Sequence, residues 1–212
     1  MVFHIAQMKE TESNICQIAA IKGGRLVLSE TYHGYSKDDC CHIASATKSI
    51  VALLVGTAPR ENFFAANAEE HVYFTTDKAP KGKLWFVDPQ GIGTPGYGLC
   101  MSAEDLCRIG QMCLQKGVYE GKRLISEQWI EEMTIGREVE GAMFRGMSYG
   151  YLWWIIHPET GVYAAIGNSG NVLYVNPMAN AVVAVTSFFK PSVPGRIDFV
   201  ENVIMNMVYL EV

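Results

Sequence analysis

His42-Ile43-Ala44-Ser45-Ala46-Thr47-Lys48-Ser49 leads into Ile50-Val51-Ala52-Leu53-Leu54-Val55-Gly56. The second part is apolar and unbroken up to Gly56. Ser45 to Gly56 therefore reads as a buried helix with the serine at its start. Residues three apart on a helix share one face and one turn, so Ser45 and Lys48 point the same way. A serine hydroxyl is a weak nucleophile until a base takes its proton, and a desolvated lysine amine can be that base. S-x-x-K is thus a candidate for acyl transfer through a serine ester. Taken alone, the four residues also fit a capping serine and a solvated lysine. The flanking sequence decides between these readings.

On the N-terminal side, residues 15–21 (Ile-Cys-Gln-Ile-Ala-Ala-Ile) predict a strand. Lys22-Gly23-Gly24-Arg25 is a two-glycine hairpin turn, and Leu26 to Tyr32 is the returning strand. Gly34 to Cys41 is polar loop. On the C-terminal side, Thr57 to Gly98 is interrupted by Pro59, Pro80, Pro89 and Pro95, which predicts loop with a short helix at 64–71. Ser102-Ala-Glu-Asp caps a helix that carries Leu106, Ile109, Cys113 and Leu114 at helical spacing and stops near Gly117. Ser126 opens a second helix ending near Met133. Strands follow at Tyr149–Ile156, Val162–Ile166, Val172–Val175 and Ala181–Ser187. Arg196 to Tyr209 is a closing amphipathic helix, with Ile197, Val200, Ile204 and Met207/Val208 on one side. Two strands, a helix, a loop-rich middle, two helices, several strands and a last helix make an α+β protein: an antiparallel sheet flanked by helices.

The chain has 212 residues, 49 % hydrophobic and 18 % charged, with a net charge of −5. That suits one domain with a sizeable core and argues against nucleic acid as a partner. No apolar run is long enough to span a membrane, and the first residues lack an export signal, so the expected setting is cytoplasmic. Cys16, Cys40, Cys41, Cys100, Cys107 and Cys113 show no metal-ligand spacing and read as reduced, buried thiols. His4, His33, His42, His71 and His157 form no metal pair. Neither a metal nor a cofactor is expected.

Jointly and in order, several segments resemble the serine β-lactamase and penicillin-binding-protein superfamily, in the class C-like branch that includes esterases and D-amino-acid peptidases. His42 to Ser49 looks like the nucleophile segment, and Ile18 to Tyr35 like the opening hairpin. Gly96-Tyr97-Gly98-Leu99, Ser102 to Leu106, Gly110, Gly117 to Lys122, Ile125-Ser126 and Trp129 look like the late helical region. Tyr149-Gly-Tyr-Leu-Trp-Trp154 and Gly167-Asn-Ser-Gly170 look like the strands around the third motif. The resemblance implies a β-lactamase/transpeptidase-like sheet with the active site at an edge strand. It implies Ser45 as nucleophile and Lys48 as the group that takes or holds its proton. It places Asn168-Ser169-Gly170 at the K-T-G position and makes the backbone N–H groups of Ser45 and Asn171 the oxyanion hole. Asn168 brings no charge there, so anion binding should be weaker than with a cation.

The chain departs from the family in the middle. The helical segment bearing the Y-x-N motif is largely missing, as if cut near 57–67 within a single domain, 1–212. Tyr174-Val-Asn176 lies in a predicted strand. Tyr149 is the leading tyrosine stand-in, with Tyr73 and Tyr97 as further choices. The missing helices would leave apolar surface that a homodimer could cover. Two functions compete: a weak serine hydrolase acting on a small ester, amide or β-lactam through an acyl-enzyme on Ser45, and an inactive relative serving as a binding or structural protein. A third reading, a chance S-x-x-K in an unrelated fold, does not account for the ordered flanking matches.

Overall fold

The computed structural model describes residues 13–57, 85–138, 147–191, 193 and 196–210. The predicted helix at 64–71, Tyr73 and, but for Thr57, the shortening near 57–67 fall outside these residues.

β1 (Ile15–Lys22) and β2 (Arg25–Thr31) form the expected hairpin. Lys22 pairs with Arg25, and Gly23 and Gly24 turn the chain with φ of 56° and 78°. Only glycine adopts two successive left-handed residues without strain. β3 (Cys41–His42) then leads into α1 (Ala46–Thr57). β4 (Cys100–Met101) pairs with β3 and is followed by α2 (Ala103–Leu114). β5 (Val118–Tyr119) and β6 (Lys122–Arg123) make a small ribbon before α3 (Glu127–Met133). The remaining strands are β7 (Ser148–Tyr149), β8 (Trp154–His157), β9 (Val162–Gly167), β10 (Asn171–Asn176) and β11 (Ala181–Ser187). Seven strands form one antiparallel sheet in the order β2-β1-β11-β10-β9-β8-β7.

The sheet is covered on both faces, which explains why β11 reads as an unbroken apolar run rather than an alternation. Tyr163, Ala165, Leu173, Val175, Val182 and Ala184 pack toward α1, α2 and α3. Their neighbours Val162, Ala164, Val172, Tyr174, Val183 and Val185 pack toward the closing helix. Gly110 lets α2 approach closely, since a Cβ there would sit 2.4 Å from Val182 Cγ1. Buried Gln17 joins the layers. Its Oε1 accepts from Ala103 N at 2.9 Å and Thr186 Oγ1 at 3.0 Å, and its Nε2 donates to Ser36 O and Asp39 O.

Ser102 caps α2 as expected, its Oγ accepting from Asp105 N at 3.1 Å. Ser102→Ala should cost about 1 kcal/mol of stability, read as a lower urea midpoint at constant slope.

Two elements differ from expectation. The predicted strand 149–156 is split into β7 and β8 by a tight turn in which Gly150 N donates to Trp153 O at 2.8 Å and Leu152 takes φ 62°. Tyrosines and tryptophans favour strands, and a leucine in the left-handed region carries no warning in the sequence. Ser49 Oγ donates to Leu152 O, which ties this turn to α1. The closing helix is α4 (Ile197–Phe199), a π-helical turn (Val200–Ile204) and α5 (Met205–Leu210). The wider turn shifts the inward face, so Phe199 and Met205 are buried beside Val200, Ile204 and Val208.

Candidate active site

The pairing of β3 with β4 continues for one more hydrogen bond, Ile43 N to Leu99 O at 3.0 Å. Ala44 then takes φ 50°, a left-handed conformation that costs a non-glycine residue roughly 1–2 kcal/mol. Such strain concentrates where the fold must aim a side chain. Here it turns the chain from strand into α1 and leaves Ser45 at the mouth of the helix. Buried Thr47 fixes the first turn by accepting from Leu99 N at 3.3 Å. One turn on, Lys48 Nζ donates to Ser45 Oγ at 2.7 Å and to Gly96 O at 2.9 Å. Ser45 and Lys48 are both half-buried.

The loop before β4 supplies the Gly96 carbonyl. Thr94 Oγ1 donates to Tyr97 O at 2.6 Å, and Trp85 Nε1 donates to Thr94 O at 2.9 Å. Phe86 stacks on His42 with ring centroids 5.0 Å apart and meets Tyr97 edge-on at 6.1 Å. Burial pulls the His42 pKa down, which favours the neutral imidazole.

The other wall is the end of β9. Among the described residues its pairing with β8 stops at Ala164, and Ala165 to Gly167 run on beyond it. Gly167 lies against the Ser45 junction: a Cβ on it would be 2.2 Å from Ile43 O and 3.1 Å from Ala46 N. Asn168, next in the chain, is exposed. Ser169 and Gly170 then turn into β10 with φ of 64° and 82°.

Ser169 and Asn171 are engaged behind this edge. Ser169 Oγ accepts from Lys190 N at 3.1 Å, and Asn14 Nδ2 donates to Ser169 O at 2.8 Å. Gly170 backs onto the guanidinium of buried Arg196, whose Nη2 donates to Asn14 Oδ1. Asn171 Nδ2 donates to Asn168 O at 2.8 Å, while its Oδ1 accepts from Ser187 N at 3.0 Å. The fold thus brings Ser45, Lys48, Gly96 and Gly167 together, with Asn168 at the rim.

The Tyr149 ring lies against Trp154 at a tilt, with centroids 4.6 Å apart, and its backbone pairs with Arg137. Among the described residues no hydrogen bond joins it to Ser45 or Lys48. Tyr97 is bonded in sequence to the Gly96 that holds Lys48. Tyr174 and Asn176 lie within β10, as the strand reading expects. Sequence reasoning missed the roles of Gly96 and Gly167, and their only local signal was glycine clustering.

Among the described residues no three His, Cys, Asp or Glu side chains are placed to hold a metal ion, and no helix is long and apolar enough to cross a membrane. Burial pushes the thiols of Cys100 and Cys113 up to about 12, so they are neutral at physiological pH. In the folded protein at pH 8, iodoacetamide should label half-exposed Cys40 first. The buried Cys16, Cys41, Cys100, Cys107 and Cys113 should react only on unfolding, as read by peptide mass spectrometry.

No family model matches the chain. The 6-aminohexanoate-dimer hydrolase of Paenarthrobacter ureafaciens is 33 % identical over a region that covers 46 % of this chain and 26 % of the hydrolase. This chain therefore matches about a quarter of that protein's length. Among solved structures, the octameric penicillin-binding protein homologue from Pyrococcus abyssi superposes with a TM-score of 0.64 at 15 % identity, covering 93 % of this chain and 74 % of that one. A β-lactamase from Mycobacterium bovis gives a TM-score of 0.55 at 14 % identity, covering 88 % and 93 % respectively. The solved structures show the fold: this chain's seven-stranded antiparallel sheet with flanking helices is the β-lactamase/transpeptidase-like fold.

Proposed function

We propose that this protein is a serine hydrolase of the β-lactamase/penicillin-binding-protein type, acting on a small ester, amide or β-lactam. The observation that carries the reading is the 2.7 Å contact between Lys48 Nζ and Ser45 Oγ at a strained strand-to-helix junction. As an ammonium, Lys48 donates to Oγ. As the free amine it accepts the Oγ proton along the same line. Oγ then bonds to the acyl carbon, the ester, amide or lactam bond breaks, and the leaving group takes a proton. Water attacks the acyl-enzyme, releasing the acid and restoring the Ser45 hydroxyl.

The oxyanion is held by the backbone N–H of Ser45 and a second donor from the third-motif strand. Gly167 favours Asn168 N as that donor over Asn171 N, because it is Gly167 that touches the Ser45 junction. One preorganised donor contributes about 3 kcal/mol to an acyl transfer. Of the tyrosines considered as stand-ins, Tyr97 is favoured over Tyr149 by its place beside Gly96. Asn168 offers the substrate a neutral amide, which suits a weakly anionic or neutral acyl group.

Incubation with a fluorophosphonate and, separately, a penicillin tests the reading by intact mass. The expected result is a stoichiometric adduct that disappears in Ser45→Ala. Folded protein that forms no adduct would instead point to a binding protein. We further propose a single domain whose family helical segment is shortened near 57–67, and a homodimer covering Leu54 and Val55, which are 42 % and 45 % exposed on α1. Sedimentation velocity of the native chain and Leu54→Glu checks the dimer.

A further inference from the structure

On the sheet face away from Ser45, the closing helix and the β8–β9 hairpin bound a cavity of about 370 Å³. Its polar end is a knot of three titratable side chains. Glu201 Oε1 accepts from the Tyr174 hydroxyl at 3.0 Å and lies 2.7 Å from His157 Nε2. The lining also includes the apolar side chains of Met178 and Met205 and the Tyr209 ring. None of these groups takes part in the Ser45 site, so the inference stands apart from the hydrolase reading.

Three observations point to a ligand. The Glu201 side chain is 26 % exposed, so a ligand can reach its carboxylate from solvent. Both of its hydrogen bonds run through Oε1; among the described residues Oε2 receives none. The π-helical turn Val200–Ile204 carries Glu201, and such turns are rare and frequent at functional sites. Finally, Met178 is 77 % exposed beside this polar knot, leaving a flexible thioether on the rim.

Charge selects the ligand class. Glu159 Oε1 stands 3.6 Å from His157 Nδ1, so two carboxylates flank the imidazole. Lys22 sits over the Tyr209 ring at 4.9 Å and does not line the cavity. Two carboxylates favour a cation over an anion here, and a wholly apolar ligand would take water from Glu201 Oε2 and put no donor in its place.

The structure assigns this cavity as a binding site for a small organic ammonium ion. The ammonium head bonds to Glu201 Oε2, and the apolar body lies against Met178, Met205 and Tyr209. Cavities of this volume hold small organic molecules, and recognition by one fixed charge and an apolar wall is their ordinary composition. A ligand of few atoms binds weakly, so millimolar affinity is expected.

The test titrates the full chain with benzylammonium and with benzyl alcohol, its neutral counterpart, following amide shifts by NMR. Benzylammonium should give saturable shifts at His157, Tyr174, Glu201 and Met205, with benzyl alcohol on the order of tenfold weaker. Glu201→Gln should lose a similar factor, and Ser45→Ala should lose nothing. Tyr209→Ala alters a half-exposed position, so it tests the apolar wall even if Glu201→Gln fails to fold; binding should weaken several-fold. Equal binding of amine and alcohol overturns the assignment. So does native affinity in folded Glu201→Gln or in Tyr209→Ala, or the absence of saturable shifts at these residues.

Discussion

Lys48→Met should leave the protein folded and slow fluorophosphonate labelling of Ser45 by roughly 10²- to 10⁴-fold, the range a positioned proton acceptor contributes. Lys48 Nζ is the one hydrogen-bond partner of Ser45 Oγ among the described residues, at 2.7 Å. Removing it leaves Oγ with no acceptor for its proton. The stability cost is small because Lys48 makes two hydrogen bonds and is half-buried. Methionine keeps the stem and loses the contact to Gly96 O, at about 1 kcal/mol. Lys48→Arg separates proton acceptance from charge, since a guanidinium does not deprotonate in proteins. Arginine should be as slow as methionine. Recovery of the rate by arginine would assign Lys48 an electrostatic role. A native rate in Lys48→Met would move the base elsewhere.

How much of this site can be read from the chain depends on the distance over which each contact acts. Ser45 and Lys48 are one helical turn apart, so periodicity alone brings them together. The hairpin at Gly23-Gly24 and the cap at Ser102 are equally local, and both form as read. Gly96 joins Lys48 across 48 positions, through a loop held by Thr94 and Trp85 that shows no hydrophobic period. No local rule reaches that far. The third motif misleads for a different reason. In Gly167-Asn168-Ser169-Gly170 both glycines look like turn residues, yet only Gly170 has a positive φ. Gly167 is a strand residue whose missing side chain makes room for another segment. Ser169 and Asn171 look equally available in sequence, but Asn14, Lys190 and Ser187 engage them from behind. Those partners are set by the sheet, not by spacing.

Gly167→Ala turns that last distinction into an experiment. Gly167 has φ −120° and ψ 159°, which any residue adopts, so the substitution brings no backbone strain. Its whole effect is steric. The new Cβ would sit 2.2 Å from Ile43 O, well inside contact distance, and 3.2 Å from Ala44 Cβ. Ile43 O cannot swing away freely: it accepts from Ala46 N at 3.2 Å, and Ile43 N is bonded to Leu99 O. The strand end must therefore retreat from the Ser45 junction by about 1 Å. Overpacking of this kind costs about 1–3 kcal/mol, and a displacement of that size at a reacting centre costs about 10²-fold in rate. Both losses are expected together, a lower urea midpoint and slow labelling of Ser45. Gly96→Ala is the matched stability control, because a Cβ there meets nothing nearer than Lys48 Cε at 3.9 Å. Its midpoint should stay near the native one. If Gly167→Ala is destabilised but labels at the native rate, the β9 edge supports the junction without serving the oxyanion, and Asn168 N is not the second donor.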